Sequence, residues 1–272
     1  MSEPPRPVPN APALRVLTDA RRATALVIAD LHLGLGATPE RPLGPPGASA
    51  PELATELVGL CRSSGARRLI VAGDAKHPIV GVPGWLRPVV FDFFSTLLQA
   101  GIGPEIVPGN HDVGLERYLP KEVVVHAAAG RAVDGLGIFH GHRWPSARVL
   151  DQRTLVAGHL HPGYRFAPTA EAPLGKRRVW VRVRYARAPG LLRPNGRTAR
   201  ARELLVLPPF HPLAGLEALN RERPERGRSF LYRRFLARGE ARAYLLDGTD
   251  LGPLPTPPVG RAARGARARR GR

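Results

Sequence analysis

The apolar run RLIVA, residues 68–72, continues directly into the polar sequence GDAKH, residues 73–77. A short apolar run is typical of a buried strand, and Gly-Asp after a strand is typical of a turn. A turn does not by itself account for the lysine and the histidine that follow Asp74 within three residues. Asp74 is therefore either a turn residue or a ligand, and similar clusters along the chain bear on the choice.

Four more apolar runs end in polar clusters. The runs ALVIA (25–29), EIVP (105–108), LGIF (136–139) and TLVA (154–157) are followed by DLH, GNHD, HGH and GHLH. The polar residues of these clusters are Asp30, His32, Asn110, His111, Asp112, His140, His142, His159 and His161. Side chains at the carboxyl ends of strands in an open α/β sheet point into a common crevice, so we expect the five clusters to converge. Mixed carboxylate, amide and imidazole groups without a thiolate are typical ligands of Mn²⁺, Fe or Zn²⁺.

Helical patterns separate the apolar runs. A helix is predicted to begin near Pro51, with Leu53, Leu57 and Leu60 on its buried face, and a second is predicted over residues 85–100. Further strands are predicted over residues 122–126, 179–185 and 203–207. The early alternation of strand and helix predicts an α/β fold in which helices pack on sheets.

The positive charge of the chain is concentrated in its last third. The 272 residues include 41 Lys and Arg against 22 Asp and Glu, and residues 171–272 hold 24 of the basic residues but only 8 of the acidic ones. This distribution favours a polyanionic partner, with nucleic acid the first expectation. The alternative is that a GC-rich genome has inflated the arginine content generally, because only three of the 41 basic residues are lysine.

The sequence carries no signal for membrane insertion or secretion. It has no run of about eighteen apolar residues, the length that spans a membrane, and its N-terminal segment lacks the pattern of a signal peptide. A single cysteine, Cys61, excludes a disulfide framework, and the helical pattern around it predicts a buried thiol. We therefore expect a cytoplasmic protein.

The ordered series DLH, GD, GNHD, HGH and GHLH, within residues 24–162, resembles the motifs of the calcineurin-like metallophosphoesterases. The narrower sequences DLHLG, GDAKH, HGHRWP, GHLHP and LPPFHPLAG resemble the archaeal SbcD-related phosphoesterases and the bacterial DNA ligase-associated phosphoesterases. They extend the resemblance to about residue 220. The resemblance implies a four-layer sandwich of two mixed sheets flanked by helices.

The resemblance also implies a dinuclear metal site. The first divalent metal would be held by Asp30, His32 and His161, and the second by Asn110, His140 and His159, with Asp74 bridging the two. Mn²⁺ is the first expectation, and Fe, Zn²⁺ and Mg²⁺ are alternatives. A hydroxide between the metals would attack the phosphorus, and His111 would assist the leaving group. Asp112 would either orient the His111 ring or cap a turn.

Several residues near the motifs have less definite roles. Lys76 and Arg143 are candidate substrate contacts, and a solvated Lys76 is an equal alternative. The sequence assigns no role to His77. The other histidines outside the ligand set, and the tryptophan that follows Arg143, are interpreted as structural: His126, His142, His211 and Trp144.

The predicted domain organisation has four parts. Residues 1–13 form a flexible proline-rich leader, residues 14–220 the metallophosphoesterase domain, residues 221–251 a basic extension, and residues 252–272 a disordered arginine-rich tail. Within the extension, residues 221–242 are expected to form either a basic helix or a pair of strands.

The expected function is metal-dependent hydrolysis of phosphodiester bonds, with nucleic acid as the favoured substrate class. One alternative is a phosphatase or phosphodiesterase of small molecules, and another is a nucleic-acid-binding scaffold without activity. The resemblance also implies association with a DNA-repair helicase or ligase.

Overall fold

A six-stranded sheet carries the first three polar clusters. The computed structural model describes residues 4–18, 23–167, 175–186, 191, 193–221 and 229–255. The strands of the first sheet, in their order across it, are β1 Arg6–Pro7, β2 Leu14–Thr18, β3 Ala23–Ile28, β4 Arg68–Val71, β5 Gly103–Ile106 and β6 Val124–Val125. Strands β3 to β6 are parallel, whereas β1 and β2 are antiparallel to their neighbours. The carboxyl ends of β3, β4 and β5 therefore lie at one edge of the sheet.

Two helices, α1 (Ala50–Ser64) and α2 (Leu86–Gln99), pack on one face of this sheet. Helix α1 begins after Ser49, whose N–H donates to the Glu52 carboxylate at 3.0 Å. It ends at Gly65, whose φ of 67° closes the last turn in the left-handed region. Both helices are predicted from the sequence, because apolar periodicity marks each of them and Ser49 marks the start of α1.

The remaining strands form a second, nine-stranded sheet that carries the last two polar clusters. They are β7 Arg131–Val133, β8 Leu136–Phe139, β9 Thr154–Ala157, β10 Pro162–Arg165, β11 Lys176–Arg184, β12 Glu203–Val206, β13 Glu217–Ala218, β14 Glu240–Leu245 and β15 Asp250–Pro253. The spatial order is β13-β10-β11-β12-β9-β8-β7. Strand β14 pairs with β11 along the edge opposite to β12, and β15 pairs with β14. Strands β8, β9 and β12 are parallel, so the polar ends of β8 and β9 share an edge.

Two short helices, α3 (Ala147–Leu150) and α4 (Phe230–Arg234), cover the outer face of the second sheet. A separate apolar core lies between the two sheets and includes Val27, Ile70, Ile138, Val156 and Trp180. The layers are therefore helices, sheet, sheet and helices. This arrangement confirms the predicted four-layer α/β sandwich.

The structure differs from the sequence-based expectations at both ends of the chain. Strand β1 lies inside the predicted flexible leader and pairs with β2, as proline permits at the edge of a sheet. The predicted extension contributes both a helix, α4, and a strand, β14, rather than one or the other. Strand β15 continues to Pro253, past the predicted start of the tail, and residues 256–272 lie outside the described residues.

Cys61 is fully buried in α1, as predicted, and burial raises the pKa of its thiol to about 11. Its role is therefore packing. Within the described ranges, no helix combines the length and the apolar character needed to cross a membrane.

Candidate metal site

The five polar clusters lie together where the two sheets face each other. In the first sheet, Asp30 follows the end of β3 by two residues, and Asp74 follows the end of β4 by three. In the second sheet, His140 comes directly after β8, and His159 follows β9 by two residues. Because these strands are parallel within each sheet, their carboxyl ends bring all four side chains to one place.

The backbone at the site is held in an uncommon conformation. Positive φ angles of 45° to 69° occur at five of the predicted ligands, namely Asp30, His32, Asp74, His159 and His161. Such angles are uncommon for residues other than glycine and persist where surrounding contacts enforce them. Two of those contacts are hydrogen bonds between the loops, from Asp30 N–H to the Gly73 carbonyl at 3.0 Å and from His32 N–H to the Asp74 carbonyl at 2.8 Å.

Glycines in the clusters allow the loops to approach one another closely. A Cβ atom on Gly73 would overlap the ring of His140, and one on Gly109 would overlap the carboxylate of Asp74. Gly158 lies in a similar way against Ala29. The glycines of the GD, GNHD and GHLH sequences are therefore required by packing across the site, in addition to their part in the turns.

One group of converging acceptor atoms surrounds Nε2 of His140. The Nδ1–H of this ring donates to the Ala72 carbonyl at 2.9 Å, which leaves Nε2 as an acceptor in the neutral imidazole. Nε2 lies 3.2 Å from Asn110 Oδ1, 3.3 Å from Asp74 Oδ2 and 3.1 Å from His159 Nδ1. Three of these atoms, Asn110 Oδ1, Asp74 Oδ2 and His140 Nε2, have lone pairs directed at one another. A cation, or a proton on one of the two imidazoles, is therefore needed among them.

A second group surrounds Nε2 of His161. The Nδ1 of this ring donates to the Gly215 carbonyl at 3.0 Å, and its Nε2 lies 3.1 Å from His32 Nε2 and 3.4 Å from Asp30 Oδ1. Asp30 is itself fixed, because both of its oxygens accept the N–H of His159 at 3.0 to 3.1 Å. Two imidazole nitrogens face each other here beside a carboxylate, so this group also has the composition of a cation site.

In each group, one imidazole has a raised pKa and the neighbouring imidazole has a lowered pKa. For His140, burial lowers the pKa, but the hydrogen bond and charge of Asp74 outweigh burial and raise it to about 9. For His161, burial is likewise outweighed by Asp30, and the pKa rises. Burial lowers the pKa of both neighbouring rings, His32 and His159, to about 4. In the absence of metal, the raised pKa of His140 favours a proton at its Nε2, and the pKa of His161 is shifted in the same direction.

The Asp74 carboxylate lies between the two groups. Its Oδ2 is 3.3 Å from His140 Nε2 and 3.9 Å from His32 Nε2, and its Oδ1 accepts the N–H of His111 at 3.0 Å. Burial opposes ionisation of Asp74, but the hydrogen bond and charge of His140, together with the His111 amide and ring, hold its pKa well below the usual range. One carboxylate is thus shared by both groups.

Two further histidines, His77 and His111, lie beside His32 of the second group. His111 directs Nε2 toward the site, 3.8 Å from Asp74 Oδ2, while its Nδ1 contacts the carbonyl of His77. The His77 ring stacks on His111 and has an edge contact with His32. Ring nitrogens of His32, His77 and His111 form a third group close enough to hold a cation. Sequence reasoning gave His77 no role, and its position three residues after Asp74 was the available signal.

Asp112 caps the backbone and does not orient the His111 ring. Its buried carboxylate accepts N–H groups of Gly109 and Ala75 at 2.8 Å and of Lys76 at 3.3 Å. Nδ1 of His111 is occupied by a carbonyl instead. The turn-capping alternative is therefore the one that the structure supports. Burial raises the pKa of this carboxyl, although the amides of Gly109 and Lys76 and the charge of His140 oppose the shift.

Both expectations for Lys76 are wrong. Its side chain is completely buried, and its ammonium group donates to the carbonyls of Pro78 and His111. It is therefore neither solvated nor free to contact a substrate. Burial lowers its pKa, against the charges of Asp112 and Asp74. Lys76 joins the loop after β4 to the loop after β5.

The remaining candidates lie at the margin of the site or outside it. Arg143 is exposed next to His142, whose pKa is lowered to about 4 by burial and by the charge of His140. Trp144 packs against Phe230 and Phe235. His126 pairs with Glu105 at 2.7 Å, and His211 is a buried acceptor for the N–H of Leu213.

Comparison with solved structures places this architecture among known folds. The nuclease MPE of Pseudomonas putida aligns with a TM-score of 0.53 at 17% sequence identity, covering 91% of this chain and 100% of the nuclease. The chain shares the fold of that nuclease. The phosphoesterase YfcE of E. coli also aligns, with a TM-score of 0.34 and 14% identity over 86% of this chain and 99% of YfcE. No protein-family model matches the sequence, and no significant match occurs among curated proteins.

Replacing Gly73 by alanine should weaken metal binding about 10- to 100-fold, the usual range for disturbing a group that orients a metal ligand. The new methyl group would displace the ring of His140. The measurement is the Mn²⁺ affinity of the purified variant by isothermal titration calorimetry.

Gly81→Ala is the matched control for this prediction. Gly81 also has a positive φ, 62°, but no atom lies within 4 Å of the position that a Cβ would take. Both variants therefore introduce strain, and only Gly73→Ala disturbs a ligand. Equal Mn²⁺ affinities for the two variants would contradict the packing argument.

Replacing Lys76 by methionine should lower the free energy of unfolding by about 3 kcal/mol, because two hydrogen bonds from a charged donor to buried carbonyls are lost. Urea denaturation measures the change. Lys121→Met is the control, since Lys121 is exposed, and it should have little effect. An unchanged unfolding midpoint for Lys76→Met would show that the ammonium does not hold the two loops together.

Proposed function

We propose that the protein is a metal-dependent phosphodiesterase with a dinuclear site, and that its substrate is nucleic acid. The observation that carries the proposal is the pair of acceptor groups that share Asp74. In this proposal Asp30, His32 and His161 hold one divalent ion, Asn110, His140 and His159 hold the second, and Asp74 contacts both. Loss of Asp74 would then affect both ions.

The donor atoms fit divalent ions of intermediate hardness. The candidate ligands offer imidazole nitrogen, carboxylate oxygen and amide oxygen, which suit Mn²⁺, Fe and Zn²⁺, and Mn²⁺ is our first choice. Carbonyl acceptors fix the distal nitrogens of His140 and His161, as is common around protein metal sites. Two such ions, when bound, would neutralise charge on a phosphoryl group and lower the pKa of a water molecule.

His111 is the candidate for assisting the leaving group. A carbonyl contact fixes its Nδ1, and its partly exposed ring directs Nε2 toward Asp74, at 3.8 Å from Oδ2. A histidine in this position can hold a proton at Nε2 and transfer it to a departing oxygen. The contact with the His77 carbonyl supports this role because it fixes the orientation of the ring.

Two observations favour nucleic acid as the substrate class. The last third of the chain carries most of the net positive charge. The P. putida protein that shares the fold is named as a nuclease. Association with a DNA-repair helicase or ligase is proposed from the sequence resemblance. A cytoplasmic location is proposed from the single cysteine and the absence of a signal-peptide pattern in the sequence. The intact set of candidate ligands argues against an inactive scaffold.

The proposed activity is tested by titrating Mn²⁺ into metal-stripped protein. The substrates are bis-(p-nitrophenyl) phosphate, p-nitrophenyl phosphate, single-stranded DNA, duplex DNA and RNA. We expect turnover of the small diester and of a nucleic acid only when Mn²⁺ is present. His111→Ala should lower the turnover number about 10²- to 10⁴-fold, which is the usual contribution of a general acid.

His126→Ala provides the control, because it removes a histidine that lies outside the acceptor groups and pairs with Glu105. It should keep the wild-type turnover number. Turnover of the small diester without any cleavage of nucleic acid would favour the small-molecule alternative. No turnover of any substrate, with normal Mn²⁺ uptake, would exclude the enzymatic function.

A further inference from the structure

A basic groove lies on the outer side of the second sheet, at one end of the loop that follows β8. Its volume is about 410 Å³. Its described lining consists of Trp144, Arg193, Pro194, Gly196, Arg234 and Arg238. Residues from the HGHRW sequence, from the segment before β12 and from the α4 region therefore form one surface. We call this surface the arginine groove.

The arginine groove has more positive charge than the described residues around it neutralise. Arg234 and Arg238 are exposed, and neither guanidinium group has an ion-pair or hydrogen-bond partner among the described residues. Arg193 donates to Asp151, while its Nε is buried and has no hydrogen-bond partner in the described part of the chain. No acidic residue is among the described lining residues. Donors without acceptors in a concave surface favour an anionic ligand.

Trp144 gives the arginine groove a rigid aromatic wall. The ring has an edge contact with Phe230, with centroids 5.4 Å apart, and a tilted contact with Phe235 at 5.3 Å. The two phenylalanine rings pack on the indole. Trp144 is half-buried and lines the groove. A fixed, partly exposed aromatic ring next to arginines is the usual arrangement for stacking an unpaired base while its phosphates are neutralised.

The arginine groove is close to the candidate metal site. Trp144 follows His140 by four residues, and four residues of extended chain span at most about 14 Å. Helix α4 also packs on the connecting loop, because a Cβ on Gly141 would lie 3.1 Å from the side chain of Leu231. The loop that carries His140 thus forms one side of the groove.

We infer that the arginine groove binds single-stranded nucleic acid, with one base stacked on Trp144 and neighbouring phosphates on Arg234 and Arg238, while another phosphate of the same strand lies at the metal site. This inference rests on the proposed function and adds a location and a strand preference to it. A single strand fits better than a duplex, because stacking on Trp144 needs a base that is not already paired and stacked.

Binding of single-stranded nucleic acid can be measured separately from its cleavage. The probe is a fluorescein-labelled oligothymidylate, the protein is kept in EDTA, and binding is followed by fluorescence anisotropy at several salt concentrations. The double variant Arg234→Ala/Arg238→Ala should bind the probe at least about tenfold more weakly. The slope of log K against log salt should decrease by about 0.7 for each phosphate contact that is lost.

The matched control is Arg233→Ala/Arg200→Ala. It removes the same charge from two exposed arginines that do not line the groove, and Arg233 is the immediate neighbour of Arg234 in α4. It should change the affinity by less than about threefold. Equal weakening in both double variants would show that only overall charge matters and would overturn the inference.

Stacking on Trp144 is tested with Trp144→Leu, which keeps an apolar side chain against the two phenylalanines. Binding of the oligothymidylate should weaken by about tenfold or more. The probe should quench the tryptophan fluorescence of the wild type, and most of that quenching should be lost in the variant. A melting temperature by circular dichroism shows whether the variant is folded. If it is not, Trp144→Phe, with the same fluorescence readout, replaces it.

The outcomes separate this inference from the proposed function. With Mn²⁺, the ratio of single-strand cleavage to turnover of bis-(p-nitrophenyl) phosphate should fall in the groove variants and stay constant in the control pair. A constant ratio in all variants would overturn the inference about the groove, while the proposed phosphodiesterase function would still stand. Equal competition by polyglutamate and by oligothymidylate would also overturn it, since the groove would then select charge and not bases.

Discussion

The site depends on one electrostatic constraint, the burial of several acceptor atoms around the Asp74 carboxylate. Three atoms lie within 3.1 to 3.3 Å of His140 Nε2: Asn110 Oδ1, His159 Nδ1 and Asp74 Oδ2. The lone pairs of a carboxylate, an amide oxygen and an imidazole nitrogen repel one another unless a cation or a proton lies among them. The raised pKa of His140 shows that a proton can serve, and a divalent ion would neutralise the carboxylate more completely.

The rest of the architecture holds these acceptors together against their mutual repulsion. Parallel strands in both sheets deliver the side chains to one place, and left-handed backbone at five of the candidate ligands turns them inward. Glycines allow the loops to touch, and the buried pair of Lys76 and Asp112 links the loops after β4 and β5 through main-chain carbonyls and amides. Local strain at the site is thus balanced by contacts between segments that are far apart in sequence.

The sequence predicted the parts of this arrangement that depend on local pattern. Polar residues directly after apolar runs marked the strand ends, so the position of the site followed from residue pattern. The α/β alternation indicated helices packed on sheets, whereas the four layers followed only from the resemblance to a known family. The roles of Lys76 and Asp112 could not be predicted, because they depend on which backbone atoms about 35 residues away come within hydrogen-bonding distance. Strand β1 was not predicted because its segment is rich in proline. His77 lies three residues after Asp74, but the sequence pattern did not define where its side chain points.

The central claim is that the two acceptor groups bind two divalent ions through a shared carboxylate. Equilibrium dialysis of metal-stripped protein against Mn²⁺, followed by electron paramagnetic resonance, tests it most directly. The account predicts two Mn²⁺ ions per chain with the spectrum of an exchange-coupled pair. It also predicts that Asp74→Asn reduces the uptake and abolishes the coupling. A wild-type protein that binds no ion, or a single uncoupled ion, would contradict the account.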